Sequence, residues 1–365
     1  MAARLSLACA EQGARLNFLS TALDPPRAYG EPLARGTLRA EPEDFVVEED
    51  LGFSASGTGQ HVLLKVRKRD ANTQWVAREL AKRCGCQPRD VGYAGLKDRR
   101  AVAIQWFTVP RSQLSLEAWR EVQQPEFNVL DAASHSRKLP RGALAGNRFA
   151  IRIRDVDATA LEGALTDRLA KITRRGVPNY FGPQRFGRDG ANLTRIAGGL
   201  ADLRHPERGF VLSAARSLVF NAVLAERVRE GTWDRLETGD IANLDGRGSV
   251  FPVDAIDPTL IARCEALDIH PTGPLWGRGS TTAKDRVGEL ETRVAAGFQQ
   301  ACALVADAGM DQERRALRLT VRDFACENES NAVLLRFRLA KGSFATTVLR
   351  EIFDTSGLGD EGGEE

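Results

Sequence analysis

The chain has 365 residues, 51 of them Lys or Arg against 49 Asp or Glu, for a net charge of +2. A single hydrophobic core seldom grows beyond about 250–300 residues, so this length predicts two domains. Six scattered cysteines (Cys9, Cys84, Cys86, Cys264, Cys302 and Cys326) and only four histidines give no zinc spacing, which excludes a metal finger and reads as reduced cytosolic thiols. LSLACA, the longest apolar stretch near the N-terminus, is interrupted by Glu11 and Gln12 and is too short for a signal segment or a spanning helix. A soluble cytoplasmic protein with no membrane partner is therefore expected.

The near-neutral total hides an uneven distribution. From His61 to Asp155 there are 19 Lys/Arg against 9 Asp/Glu, a surplus of ten, so the remainder of the chain carries −8. A local basic excess of this kind points to a polyanionic partner, although a set of solvated faces would give the same count.

Residues 1–35 carry Pro25, Pro26 and Pro32 among small residues and read as a loosely ordered lead-in. Gly36 to Leu51, GTLRAEPEDFVVEEDL, has strand character at Leu38 and at Phe45-Val46-Val47, interrupted by Pro42. His61 to Arg67 alternates Val62, Leu64 and Val66 against Leu63, Lys65 and Arg67, which predicts a strand with a charged face. Asn72 or Thr73 can then cap the helix QWVARELAKRC, in which Val76, Leu80 and Cys84 repeat at helical spacing and which Gly85 closes.

Next comes VGYAGLKDRRAVAIQWFTV, Val91 to Val109. Gly92 and Gly95 let the backbone turn and approach a ligand, and the run from Ala101 to Val109 alternates as a half-buried strand. One carboxylate, Asp98, sits among Lys97, Arg99 and Arg100 at the strand entrance. That setting suits an acid kept ionised beside a polyanion; on spacing alone, a solvated turn Asp is the commoner explanation.

His135 to Val156 ends in a strand with Phe149, Ile151 and Ile153 on one face and Arg148, Arg152 and Arg154 on the other. Arginines for phosphates beside an aromatic for stacking would serve RNA, and a solvated edge strand fits the pattern equally well. A helix is predicted over Ala158 to Arg175, closed by Gly176, followed by the irregular loop VPNYFGPQRFGRDGAN. To about Thr320 the character is helical, with one helix from a cap at Ser213 to Gly231 and a second over Thr282 to Ala308, separated by GDIANL, a strand-like SVFPV and the turn-rich HPTGPLWG. Finally Val333, Leu335, Phe337 and Leu339 alternate as a strand, Ser343 can cap a helix through Ile352, and the acidic tail 357–365 reads as disordered.

Five of these strings (PEDFVVEE, GYAGLKDRRAVA, GNRFAI, NYFGPQRFG and GSFAT) occur in the order of the TruD-type tRNA pseudouridine synthases, which the chain resembles from about Gly36 to Phe353. The resemblance implies an α+β fold: a pseudouridine-synthase catalytic domain with a mostly antiparallel mixed sheet flanked by helices, plus an inserted α/β domain particular to the family. The catalytic domain would then run over 36–176 and 321–356, with the insertion over 177–320.

It also implies roles. Asp98 would be the nucleophile, Arg39 its supporting cation, and Phe45, Asn147, Phe149 and Phe344 the uridine pocket, with Phe45 and Phe149 sandwiching the flipped base. Lys97, Arg99, Arg100 and Arg148 would hold phosphates, which position RNA without reading its sequence. The implied reaction converts the uridine at position 13 of the tRNA D-arm to pseudouridine. It asks for one acid and no metal or other cofactor, since uracil is its own returning nucleophile. The expected partner is tRNA and the expected state a monomer. Two other classes remain compatible with the residues, a non-catalytic RNA-binding protein and a carboxylate glycosidase acting on nucleosides.

Overall fold

The period-2 apolar patterns of the first 160 residues assemble into one large sheet, completed by two strands from the far end of the chain. The computed structural model describes residues 24–355 apart from 188, 189, 201, 202 and 205. Most of the expected lead-in, 1–23, and the acidic tail from 356 onward lie outside the described residues. The chain divides into two compact units. One, the sheet unit, holds Pro32–Leu169, Val321–Ala345 and the segment from Ile352; the other, the helical unit, holds the residues up to Glu31, Ala170–Thr320 and Thr346–Glu351.

In the sheet unit the strands are β1 (Ala34–Arg35), β2 (Thr37–Leu38), β3 (Phe45–Asp50), β4 (His61–Arg69), β5 (Gly92–Tyr93), β6 (Val102–Pro110), β7 (Phe127–His135), β8 (Gly146–Arg154), β9 (Arg322–Glu329) and β10 (Ala332–Ala340). The sheet order is β9-β10-β8-β3-β6-β4-β7, with β2 beside β8 and β5 beside β6. Every pairing is antiparallel except that of β3 with β6. This is the mostly antiparallel mixed sheet of an α+β fold. The short β1 pairs in parallel with Phe353–Asp354.

The register sorts the side chains into two faces, because opposed residues in a ladder point the same way. Lys68, Ala103, Val47, Phe149 and Phe337 form one row across five strands. Val66, Gln105, Glu49, Asn147 and Leu339 form the next row of that face, with Gln105 following from the β3–β6 register. Helix α1 (Thr73–Cys84) follows β4, and its Val76, Ala77, Leu80 and Ala81 are buried in a common core with Val62, Leu64, Val66 and Phe107. Asn72 is the cap, accepting from the Gln74 amide at 2.8 Å, and Gly85 ends the helix at φ 75°. Thr73 does not cap. Its buried hydroxyl is used elsewhere.

Residues expected to be loosely ordered are tied down from Asp24 onward. In the helical unit the Ala28 amide donates to Glu351 and the Tyr29 hydroxyl to the Gly176 carbonyl, at 2.9 and 2.6 Å; in the sheet unit the Leu33 amide donates to the Ile352 carbonyl.

The helical unit is built around the helix Glu207–Arg229. It begins six residues before the cap predicted at Ser213, whose hydroxyl instead accepts from Arg185 at 2.9 Å. The polar start ERGF masked those first turns. Its length and apolar composition would allow it to cross a membrane, but 72% of its most apolar 18 residues are buried inside the protein, as in a core helix. The helix predicted over Thr282 to Ala308 is two, Asp285–Ala296 and Gln299–Asp307, broken at Gly297 and Phe298. The segment read as turn-rich contains a strand, Ile269–Leu275. It pairs with Ile241–Leu244 through 269–271 and with Glu313–Ala316 through 272–275. Pro271 and Pro274 thus each lie in a half paired on one side only, where a missing N–H is tolerated.

Candidate active site

Asp98 and Arg39 are 59 positions apart and meet because β3 and β6 run in parallel. The segments that enter two parallel neighbours lie at the same edge of the sheet, and Asp98 precedes β6 as Arg39 precedes β3. Their side chains form an ion pair in which an Arg39 Nη donates to the Asp98 carboxylate. The Arg39 side chain is 12% exposed, whereas Asp98 keeps 47% of its surface open to solvent. The guanidinium carbon lies 4.2 Å from the centroid of the Phe45 ring. Arg39 reaches this position from a left-handed backbone, φ 60°. Such a conformation costs a non-glycine residue about 1–3 kcal/mol and concentrates at functional sites.

The loop carrying Asp98 is fixed at successive main-chain groups. The Gly95 carbonyl accepts from the Gln105 side-chain amide at 2.6 Å, and the Lys97 amide donates to the Thr73 hydroxyl at 3.0 Å. The Asp98 carbonyl accepts from Lys68 at 2.8 Å. Sequence reading missed Gln105, Thr73 and Lys68. The only signal was a polar residue at an inward position of an otherwise apolar alternation, as Gln105 and Lys68 both are.

Lys97 is a correction. Expected on an RNA phosphate, it is 11% exposed and ion-paired at 2.7 Å with Glu49, whose side chain is wholly buried. Glu49 also accepts from the Trp106 amide at 2.9 Å, so the Lys97–Glu49 pair bolts the loop to β3. Arg99 stays outside, 3.6 Å from Asp70, with both side chains about half exposed, and Arg100 is half-buried.

Phe45 and Phe149 depart from the expected sandwich. They lie on one face of adjacent strands, at diagonal positions, and their rings meet edge to face at 6.1 Å and 76°. Phe149 also packs on Phe337 at 5.4 Å. Both are more than nine-tenths buried, so no base fits between them. Phe45 supports Arg39, and Phe149 packs between Phe45 and Phe337. Asn147 is one row further along this face, directly across from Glu49. It is 9% exposed, and its Oδ1 is buried without a hydrogen-bond partner. A buried acceptor left open is costly and is ordinarily answered by an ordered water or by a ligand group. Phe344 is half-buried, just before the helix Ala345–Leu349, in the turn that follows β10. Ser343 caps no helix there, since the helix starts two residues later.

The arginine row of β8 projects from the opposite face. Arg148 is exposed there, away from Phe149, for the period-2 reason that makes the row visible in sequence. Arg154 is engaged by Asp44 and Glu41 at 2.9 and 3.0 Å, and Arg152 by Glu329 at 2.8 Å. These two serve ion pairs, and Arg148 is not among the residues gathered at Asp98. His135 is structural: its buried ring stacks on Phe53 at 5.9 Å and accepts from the Ser56 amide.

In the helical unit, the NYFGPQRFG string is anchored by side chains. Asn221 makes reciprocal 2.9 Å hydrogen bonds with the Phe181 main chain, Asn179 donates to the Ala316 carbonyl, and Arg315 stacks over Phe181 at 4.2 Å.

A carboxylate paired with a stacked arginine at the edge of a mixed sheet suits carboxylate chemistry on a bound ligand, and the kinships of the chain place it in the pseudouridine synthase class. The sequence model described as tRNA pseudouridine synthase D (TruD) matches residues 27–200 and 192–352. The chain is 44% identical over 344 residues to the tRNA pseudouridine synthase D of Methylococcus capsulatus, covering 92% of this chain and 97% of that one. It is 45% identical over 337 residues to that of Nitrosococcus oceani, covering 90% and 94%. A crystal structure of a candidate TruD protein from Methanosarcina mazei superposes with a TM-score of 0.71 over 92% of this chain and 97% of that one, at 20% identity, and shares its fold. The chain belongs to the tRNA pseudouridine synthase D family, and it is an isomerase.

Proposed function

We propose that this enzyme converts the uridine at position 13 of the tRNA D-arm to pseudouridine in the cytoplasm, acting as a monomer, with Asp98 as its one catalytic carboxylate and no cofactor. The observation that supports this reading is the Asp98–Arg39 pair: an exposed acid oriented by a cation that is itself held on Phe45. A flipped uridine placed over Asp98 presents its C1′ to the carboxylate. Breaking the C1′–N1 bond leaves positive charge on the sugar, which the carboxylate captures or supports. The freed uracil turns, C5 bonds to C1′, the C5 proton is lost to solvent and N1 takes one up, so no water is consumed and the atoms balance as an isomerisation requires. Asn147 Oδ1 is suited to accept from the uracil N3–H, with Phe344 and the edge of Phe149 as the apolar surround. Arg99 and Arg100 are the phosphate contacts that remain beside the acid.

The experiment is tritium release from transcribed tRNA carrying 5-labelled uridine, with mass spectrometry of the product. Release matched one for one by pseudouridine at position 13 is expected. A protein that only binds RNA releases no tritium, and a nucleoside glycosidase yields free uracil; either result would overturn the reading.

A further inference from the structure

Under the Asp98 loop lies a buried cation for which the reaction as described has no use. Lys68, near the end of β4, is fully buried. Its Nζ donates to the carbonyls of Ala71 at 2.7 Å and Asp98 at 2.8 Å, with a longer contact of 3.4 Å to that of Lys97. These acceptors are main-chain carbonyls, so the ammonium is charged without a carboxylate clamped to it. Burying a charge in this way works against stability. A neutral side chain would cost the fold less, which makes the position expensive for packing alone.

What Lys68 gains is purchase on the nucleophile's own peptide. We propose that Lys68 is a positioning residue for the isomerisation: its ammonium fixes the main chain at Lys97 and Asp98 and places a second positive charge beside the Asp98 carboxylate. The inference rests on Asp98 being the catalytic acid. Arg39 holds the carboxylate from its side-chain end, and Lys68 holds the same residue by its carbonyl. Together with the Gln105 and Thr73 bonds, they leave the loop little freedom. Positioning of this kind matters because a misplacement of about 1 Å can lower a rate about a hundredfold.

The charged groups around Lys68 are Asp98 and Lys97 on the loop, Glu49 on β3 and Asp70 after β4. Burial outweighs the three acids and draws the ammonium down from 10.5 to about 8. Above that pH the lysine loses its charge, and turnover should fall. Stability moves the other way for this group. With the folded value below the unfolded one, the unfolded chain binds more protons between the two, so the contribution of Lys68 to stability rises with pH from about 8 upward. A basic limb in the activity profile, without loss of fold over the same interval, is the signature.

The test measures kcat and KM on transcribed tRNA by tritium release from about pH 6 to pH 9.5, for the wild type, Lys68→Met, Lys68→Arg and Asp98→Asn, with the Tm of each. Lys68→Met should lose about a hundredfold in kcat, with KM within roughly threefold and Tm equal to or above wild type. Lys68→Arg, which stays charged throughout, should restore part of kcat and lack the wild-type basic limb near 8. The proposal is overturned if Lys68→Met turns over within roughly threefold of wild type. It is equally overturned if its loss of activity simply tracks a fall in Tm, or if the basic limb is the same in all active variants. Turnover by Asp98→Asn would instead remove the nucleophile assignment on which the inference stands, so the two failures are separable.

Discussion

The Arg39 guanidinium rests on the face of Phe45, 4.2 Å from the ring centroid, while its Nη holds the Asp98 carboxylate. Phe45 therefore acts on the Asp98 carboxylate through Arg39. A cation over an aromatic face is worth about 0.5–2 kcal/mol, and if that preference is what aims Arg39, Phe45→Leu should lower kcat by roughly 2–30-fold. Affinity for tRNA should be unchanged, because neither side chain is placed to reach a phosphate. A rise in Kd with kcat preserved would put Phe45 on the RNA.

Asp98→Asn keeps the shape of the side chain and removes its charge. Pseudouridine formation should be abolished, while tRNA binding by filter or gel shift stays within roughly threefold, since only the charge-dependent step is lost. Arg39→Ala should likewise damage turnover more than binding. Alanine keeps the strain of the left-handed backbone, and Arg39→Gly, which relaxes it, should be the more stable of the two by about 0.5–1 kcal/mol in a urea titration.

How much of this could be read from the chain beforehand depended on periodicity. Asn72 and Gly85 bound α1 as their chemistry requires, and the strand of His61 onward and that of Ala101 onward lie where alternation puts them. Faces were legible, neighbours were not. Nothing local says that β3 and β6 are adjacent and parallel, which is what joins Arg39 to Asp98; the ion pair was expected only through the family resemblance, and the strand pairing not at all. Nor does alternation separate Lys97, drawn inward by Glu49, from Arg99, left at the surface. The Phe45–Phe149 edge contact and the ion pairs of Arg152 and Arg154 depend on cross-strand register, which alternation along one strand does not carry, so the sandwich was read one dimension short. In the helical unit, Pro271 and Pro274 argued against a strand that exists because each half of it is paired on one side only.

The buried Arg227–Asp240 pair gives the helical unit a separate test. Its side chains are 1% and 0% exposed and joined by two hydrogen bonds of 2.9 and 3.0 Å, and Arg227 also serves the carbonyls of Thr232 and Arg235. Asp240→Ala would leave the guanidinium buried against carbonyls alone, a loss of about 3–5 kcal/mol. Calorimetry should show a fall in Tm of roughly 6–20 °C for a unit of this size. The double variant Asp240→Ala/Arg227→Met should recover much of it, because no unpaired charge is left inside. A double variant no better than the single one would show that packing of the long side chain, and not its charge, is what the unit needs.

Asn147 separates substrate recognition from folding. Its Oδ1 is buried with no partner, in the row that also carries Glu49. If that oxygen accepts from the uracil N3–H, Asn147→Ala removes a hydrogen bond to substrate worth about 1–3 kcal/mol in a desolvated site, and kcat/KM should fall roughly 5–150-fold. The free protein should be no less stable, since the variant deletes an acceptor that the fold leaves unsatisfied. Asn147→Asp should be worse than Ala on both counts, because it sets a second carboxylate opposite Glu49 and competes for Lys97. Were Asn147→Ala to unfold several degrees earlier yet keep its kcat/KM, the amide would belong to the core and the open acceptor would have another explanation. The pattern expected of a recognition residue is the reverse, activity lost and Tm held.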